Sequence, residues 1–322
     1  MHKYIKVSPN FHIILNKADR FRTELNIEFS SGGSYFEKDH QKGLTHLLEH
    51  SQLNATQKFS KKELNRLLFE KDIYRNASTS IMTEGITMSG HKDDFNEMLE
   101  LILSFGFNPT IDQSIVDIEK QIVLREISDR KGNPGYRLSR FIYESVYEKG
   151  SKELLEVLGN EKIVEQADVA SLMEIHKRIL EESHFVISAV GGGVDEQKII
   201  NEVEKLSLRF DSSKTHPIDM DGQNKFLDFK YKPIVSDLAH EQSIIIMFMP
   251  CTVNFGNRAI RDIAWELLFS YPEGVFYKIM REELGLLYSI DGSFDESLQM
   301  LAVRMSGEIG NAKKLVEEAS KI

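Results

Sequence analysis

Between Arg209 and about Asn224 the sequence turns polar and turn-rich (RFDSSKTHPIDMDGQN), and similar orders of element types are written on either side of it. That break constrains the fold more than any other feature, because a polar, turn-forming stretch of this length marks a boundary between separately packed units. Before it, YIKV, FHIIL and FRTELNIEF read as strands, with period-two alternation clearest in the third. Helical spacing follows over Gly43 to Gln52. A capping-box pair, Ser60 and Glu63, then starts a second helix, and YRNASTSI and GITMSG read as companion strands. DDFNEMLELILSF, DQSIVDIEKQIVLREISDR after Asn108-Pro109, YRLSRFIYESVY and VASLMEIHKRIL read as helices, and HFVISAV as a strand. After the break come FLDFKY and QSIIIMFMP as strands, RAIRDIAWELLF and VFYKIMREELG as helices, LLYSIDGSF and LQMLAVRMSG as a strand pair, and AKKLVEEASKI as a helix. The strand, helix, paired-strand, helix order on the two sides is a weak internal repeat. The expectation is an α+β chain of two related domains, each a largely antiparallel sheet packed with helices: 1–210, a linker over 211–225, and 226–322, the last apparently incomplete.

Composition removes several function classes. A chain of 322 residues with 41% hydrophobic side chains can bury two cores. A formal net charge of -10, with no Lys/Arg-rich block, repels a phosphate backbone, so nucleic acid is not an expected partner. No segment approaches a membrane span, and the one cysteine, Cys251 in an apolar stretch, reads as a core residue rather than a nucleophile. A single cysteine also fits a reducing compartment, and a cytoplasmic protein is expected. The GGGVDEQKIINEVEKL junction lacks GK[ST] and does not have dinucleotide spacing, so it reads as a turn into a helix.

The chemistry is concentrated in GLTHLLEHSQLNAT. His46 and His50, four apart on a helix, project the same way and can hold one divalent ion between two imidazoles. Glu49 sits on the same turn, in the general-base position for water activated by that ion, in the order inverse to HExxH. In a chain of this composition the His-x-x-Glu-His pattern arises by chance roughly 3% of the time. A tetrahedral catalytic centre needs a third protein ligand. His176, on an amphipathic helix, reads as an ordinary surface or core histidine. Carboxylates are the better source: Glu119 and Glu126 are seven apart, nearly on one face of the long helix. Ile122, Val123, Leu124 and Ile127 around Glu126 mark a closely packed segment that could carry a carboxylate inward.

At these residues the sequence resembles the insulinase/pitrilysin family of inverted-motif (HxxEH) zinc peptidases, in particular its short-chain branch with mitochondrial processing peptidase and bacterial relatives. GGSYFEKDHQKGLTHLLEH resembles the family's approach to its metal helix, NASTS its Asn-Ala strand, and NPTIDQSIVDIEKQIVLREI its third-ligand helix, 76 residues separating His50 from Glu126. The resemblance implies His46, His50 and Glu126 as ligands of one zinc ion per chain, Glu49 as general base and Glu119 as a carboxylate supporting the site. REELGLLYS resembles the family's substrate-facing Arg and Tyr, here Arg281 and Tyr288, a cation and a phenol able to stabilise an oxyanion. It further implies an extended peptide added to an exposed sheet edge, for which Asn76, Ala77, Ser78 and Thr79 are the candidate strand.

The activity expected on this resemblance is endopeptidase cleavage of short or unfolded peptides, with leader-peptide processing as a narrower version. The alternative is a non-catalytic or partner-dependent subunit of a heteromeric peptidase, and a homodimer or a heterodimer with a related chain is the expected assembly. Two departures stand out. SQLNAT replaces the apolar, Phe-containing turn that follows the motif in relatives, and the chain stops where relatives continue.

Overall fold

A computed structural model of the chain describes residues 2–216, 242–250, 257–295 and 300–322. The expected strand FLDFKY, most of the expected linker and Cys251 lie outside them. The protein has an α+β fold of two compact units. Residues 1–133 and 149–223 form the first, and residues 134–148 and 224–322 the second, so the helix Pro134–Val146 groups with the C-terminal residues rather than with the segment 1–210 in which the sequence placed it.

The first unit is built on a six-stranded sheet in the order β1-β2-β6-β3-β5-β4, comprising β1 (His2–Lys6), β2 (Phe11–Lys17), β3 (Arg22–Phe29), β4 (Tyr74–Thr79), β5 (Glu84–His91) and β6 (Phe185–Gly191). All pairs are antiparallel except β2 with β6, where Phe11 lies opposite Phe185 in a parallel register. Alternation along β3 follows from its sequence: Thr23, Leu25, Ile27 and Phe29 are buried while Arg22, Glu24 and Glu28 face water. Phe11, Phe29, Phe107 and Phe185 stack into one aromatic cluster, with Phe11 and Phe185 ring centroids 4.4 Å apart. The helices of this unit are α1 (Leu44–Gln52), α2 (Lys61–Glu70), α3 (Phe95–Phe107), α4 (Gln113–Gly132), α6 (Glu161–Gln166), α7 (Val169–Glu182) and α8 (Glu196–Ser207), with α5 (Pro134–Val146) counted in the second unit. The triple glycine joins β6 to α8, and His176 is a core residue whose Nε2 pairs with the carbonyl of Gly106 at 2.9 Å.

Two consequences of this topology position the site. Among the described residues β4 is an edge strand, paired with β5 alone. α1 packs against β4, α4 and α7, through Leu44, Leu47 and Leu48. Histidines and Glu49, at the remaining helical positions, are thereby left between α4 and the sheet edge.

In the second unit β7 (Gln242–Pro250), β9 (Met300–Glu308) and β8 (Ser289–Asp295) form a three-stranded antiparallel sheet in that order. α9 (Arg258–Trp265) runs on as a π-helical turn, Glu266–Ser270, and α10 (Val275–Tyr277) as another, Lys278–Glu283; α11 (Ala312–Ala319) follows β9. Phe269, Met280, Leu286, Leu287, Val303, Met305 and Leu315 are buried together as a core separate from the first.

Candidate metal centre

The N-terminus of α1 is fixed before any ligand is placed. The buried carboxylate of Glu37 accepts hydrogen bonds from the backbone N–H of Gly43 (3.0 Å) and of Thr45 (2.7 Å), two of the donors a helix start leaves unsatisfied. Burial pushes the Glu37 carboxyl upward, while those two N–H groups pull the other way. Gly43 has φ +99°, and its backbone lies against Gly159, φ +74°, so closely that a Cβ on Gly159 would stand 2.2 Å from the Gly43 nitrogen. Only glycine fits both positions.

One turn in, His46 Nε2 lies 3.2 Å and His50 Nε2 3.6 Å from the same carboxylate oxygen, Oε2 of Glu126 on α4. Donor atoms of His46, His50 and Glu126 all lie within 4.8 Å of one another, the one such group of three among the described residues. Ligands of a tetrahedral ion with bonds of about 2.1 Å are separated by roughly 3.4 Å, and the two imidazole distances to Glu126 Oε2, 3.2 and 3.6 Å, fit that spacing. The donor chemistry fits equally: two imidazoles and a carboxylate are an ordinary borderline-soft set. His46 Nδ1 is buried and makes no hydrogen bond, although Glu49 Oε2 is 3.2 Å away.

Around this trio stand four further groups. Glu49 Oε2 accepts a hydrogen bond from the Thr79 hydroxyl of β4 at 3.1 Å. Glu119, one turn-pair before Glu126 on α4, lies with Oε2 3.5 Å from His50 Nδ1, and its Oε1 accepts from Asn54 Nδ2 at 3.2 Å. Asn54 Nδ2 also reaches the His50 carbonyl at 2.8 Å, tying the end of α1 to α4. Lys61 Nζ, at the first position of α2, is 3.6 Å from Glu119 Oε1. The electrostatics follow. Burial works against a charged His50, yet Glu119, Glu49 and Glu126 outweigh it and hold the imidazole above its ordinary value. Burial would raise Glu119, but His50, Lys61 and Asn54 hold it below the usual carboxylate range.

Arg281 and Tyr288, expected to serve the substrate, both lie in the second unit. An Arg281 guanidinium nitrogen donates to the Tyr288 carbonyl, and the guanidinium stands over the Tyr277 ring at 5.4 Å. The Tyr288 side chain is exposed. Asn76 to Thr79 occupy the edge strand β4. Sequence reasoning did not single out Glu37, Gln52, Asn54 or Glu84, nor Thr79 as a partner of Glu49. Gln52 and Asn54 fall in the departing SQLNAT segment, which was the available signal for them; Glu37 and Glu84 carry none, because a lone glutamate before a helix or at a strand start has no distinctive spacing.

The described residues thus set two imidazoles of one helix against a carboxylate of a second, with Glu49 beside them, on a two-unit α+β scaffold. The model of "Insulinase (Peptidase family M16)" matches residues 24–156 and that of "Peptidase M16 inactive domain" matches residues 166–321. The chain belongs to the insulinase family, peptidase family M16. It is 22% identical over 311 residues to an "Uncharacterized zinc protease" of Rickettsia bellii, covering 90% of this chain and 72% of that one. It is 20% identical over 171 residues to human "Mitochondrial-processing peptidase subunit beta", covering 52% of this chain and 34% of that one. Among solved structures, a protease from Helicobacter pylori superposes with a TM-score of 0.70 at 15% identity, over 100% of this chain and 79% of that one. The periplasmic protease PqqL from Escherichia coli superposes with a TM-score of 0.69 at 15% identity, over 99% of this chain and 36% of that one. These structural likenesses establish the fold. No helix among the described residues is long and apolar enough to cross a membrane.

Proposed function

We propose that the chain is a zinc-dependent endopeptidase that hydrolyses short or unfolded peptides, with one ion held by His46, His50 and Glu126. The observation that carries this reading is the convergence of those three donors within 4.8 Å, with a carboxylate oxygen of Glu49 only 3.2 Å from one of the imidazoles. When bound, zinc supplies a Lewis acid that makes water a nucleophile near neutral pH. Glu49 is the general base: Thr79 fixes one of its oxygens, and the carboxylate takes the proton of the attacking water and passes it to the leaving amine. Glu119 and Asn54 orient His50 from behind, as supports of metal-binding histidines do. Arg281 and Tyr288 are assigned to the substrate, as donors to the carbonyl oxygen that becomes an oxyanion. β4, whose second edge no other described strand pairs with, offers Asn76 to Thr79 to an extended peptide. Leader-peptide removal is the narrower form of this activity, and a dimer with itself or a related chain its expected assembly. The single cysteine supports a cytoplasmic setting.

A second reading, a partner-dependent subunit, draws on two findings: residues 166–321 match a model described as an inactive domain, and one relative is named as a subunit. One experiment separates the two. The purified chain is incubated with a mixed library of unstructured peptides, with and without chelator, beside Glu49→Gln, and the cuts are read by mass spectrometry. Chelator-sensitive cuts absent from the variant support the endopeptidase. Zinc binding without cuts, with activity appearing when a related chain is added, supports the subunit.

A further inference from the structure

Near Glu49, two polar side chains are buried against each other. Gln52, three residues along α1 from Glu49, is 1% exposed, and Glu84, the first residue of β5, is 2% exposed. The Gln52 side-chain amide donates to Glu84 Oε1. Glu84 is the cross-strand partner of Thr79, whose hydroxyl donates to Glu49. The four residues therefore close a ring: Glu49 and Gln52 joined by one turn of α1, Thr79 and Glu84 joined by the β4–β5 ladder, and the helix joined to the strands by the two side-chain hydrogen bonds.

We propose that Gln52 and Glu84 are positioning residues for Glu49, locking α1 to the β4–β5 hairpin so that the Thr79 hydroxyl stays on the base. The geometry makes the two hydrogen bonds interdependent, since each limits the slide of the helix along the hairpin that would break the other. Buried, hydrogen-bonded amide–acid pairs are costly to half-satisfy, which gives the ring its stiffness. The charge state agrees with this role. Burial pushes the Glu84 carboxyl up to about 8, the Gln52 amide pulls it down, the nearby Glu49 raises it and Arg178 of α7 lowers it. Burial thus favours the protonated form of Glu84, which still accepts the Gln52 amide through Oε1.

The role of the ring in turnover rests on the endopeptidase reading, so the test carries readouts with and without turnover. Glu84→Gln keeps an acceptor oxygen and the size of the group. Its kcat should stay within about threefold of wild type, whereas Glu84→Ala and Gln52→Ala should lose about 10- to 100-fold in kcat, with KM and zinc affinity changed by less than about twofold. The exchanged double variant, Gln52→Glu with Glu84→Gln, should recover most of the loss. The proposal is overturned if the alanine variants keep wild-type kcat, if they lose zinc affinity in parallel with kcat, or if the exchange restores nothing.

Two stability measurements need no activity and would stand if wild type cut no peptide. Glu84 binds a proton in the folded state that it releases in the unfolded state, so its contribution falls as pH rises from 4.5 to about 8. Melting temperatures of Glu84→Gln should accordingly exceed wild type by a margin that grows over that window. In a double-mutant cycle, Thr79→Val and Glu84→Ala should be non-additive in melting temperature; strict additivity would overturn the ring even in an inactive chain.

Discussion

At the scale of single residues, the proposed function separates groups that would hold an ion from the group that would move a proton. His46, His50 and Glu126 converge on one point, while Glu49 lies beside them with an oxygen engaged by Thr79. Glu49→Gln preserves volume and polarity but removes the basic carboxylate. We expect unchanged zinc binding, measured by competition with a chromophoric chelator, and turnover reduced by about 10²- to 10⁴-fold. Normal turnover in that variant would place the base elsewhere. A different loss is expected at Asn54, whose amide joins the His50 carbonyl to Glu119. Asn54→Ala leaves Glu119 with one fewer partner and frees the end of α1, so zinc affinity should weaken by about 10- to 100-fold while the base remains intact. Zinc affinity equal to wild type would show that the Glu119–His50 pair orients itself without help from Asn54.

At the scale of elements, the start of α1 is where local backbone geometry sets the chemistry. Glu37 caps it and the Gly43–Gly159 approach closes it against the turn that precedes α6. Glu37→Ala should cost about 1–3 kcal/mol in urea denaturation, because two buried N–H groups lose their acceptor. Gly159→Ala should cost more than Gly150→Ala: both glycines have positive φ, +74° and +94°, but a Cβ at Gly159 meets the backbone of Gly43 while one at Gly150 meets nothing within 4 Å. Left-handed strain alone is about 1–2 kcal/mol, and equal losses would mean that the Gly43 contact relaxes freely. Much of this layer was legible in the sequence. β3 shows its alternation, and Ser60 with Glu63 does form the box that opens α2. What was not legible is what depends on partners distant in sequence: the parallel pairing of β2 with β6 across more than 150 residues, the short helix α6, and the Glu37 cap, in which a side chain serves a helix it precedes by several residues. The π-helical turns after α9 and α10 likewise carry no periodic signature in ELLFS or KIMREE. Of the site, His46, Glu49 and His50 share α1 and could be read as a set, and Glu126 on α4 was reached through the family resemblance, whereas Thr79 and Glu84 become neighbours of Glu49 only through strand pairing.

At the scale of the whole molecule, the proposed roles fall on two units. All three candidate ligands, the proposed base and its supports lie in the first, so the proposed metal binding would be a property of that unit, whereas Arg281 and Tyr288 belong to the second. If the second unit takes part in chemistry, its substitutions must lower turnover without touching metal affinity. Tyr288→Phe is the cleaner probe, since the hydrogen bond that Arg281 makes here is to the Tyr288 carbonyl, which the substitution leaves in place. Loss of one donor to a developing oxyanion lowers kcat by about 10²-fold or more, so that is the expected result, with zinc affinity changed by less than about twofold. Arg281→Lys keeps the charge but gives up the planar fork, and should fall between wild type and Arg281→Ala. A Tyr288→Phe variant with wild-type kcat but raised KM would instead assign the phenol to uniform binding of the peptide. A variant unchanged in both would remove Tyr288 from the reaction and leave Glu49, with its ring of supports, as the proton-handling apparatus.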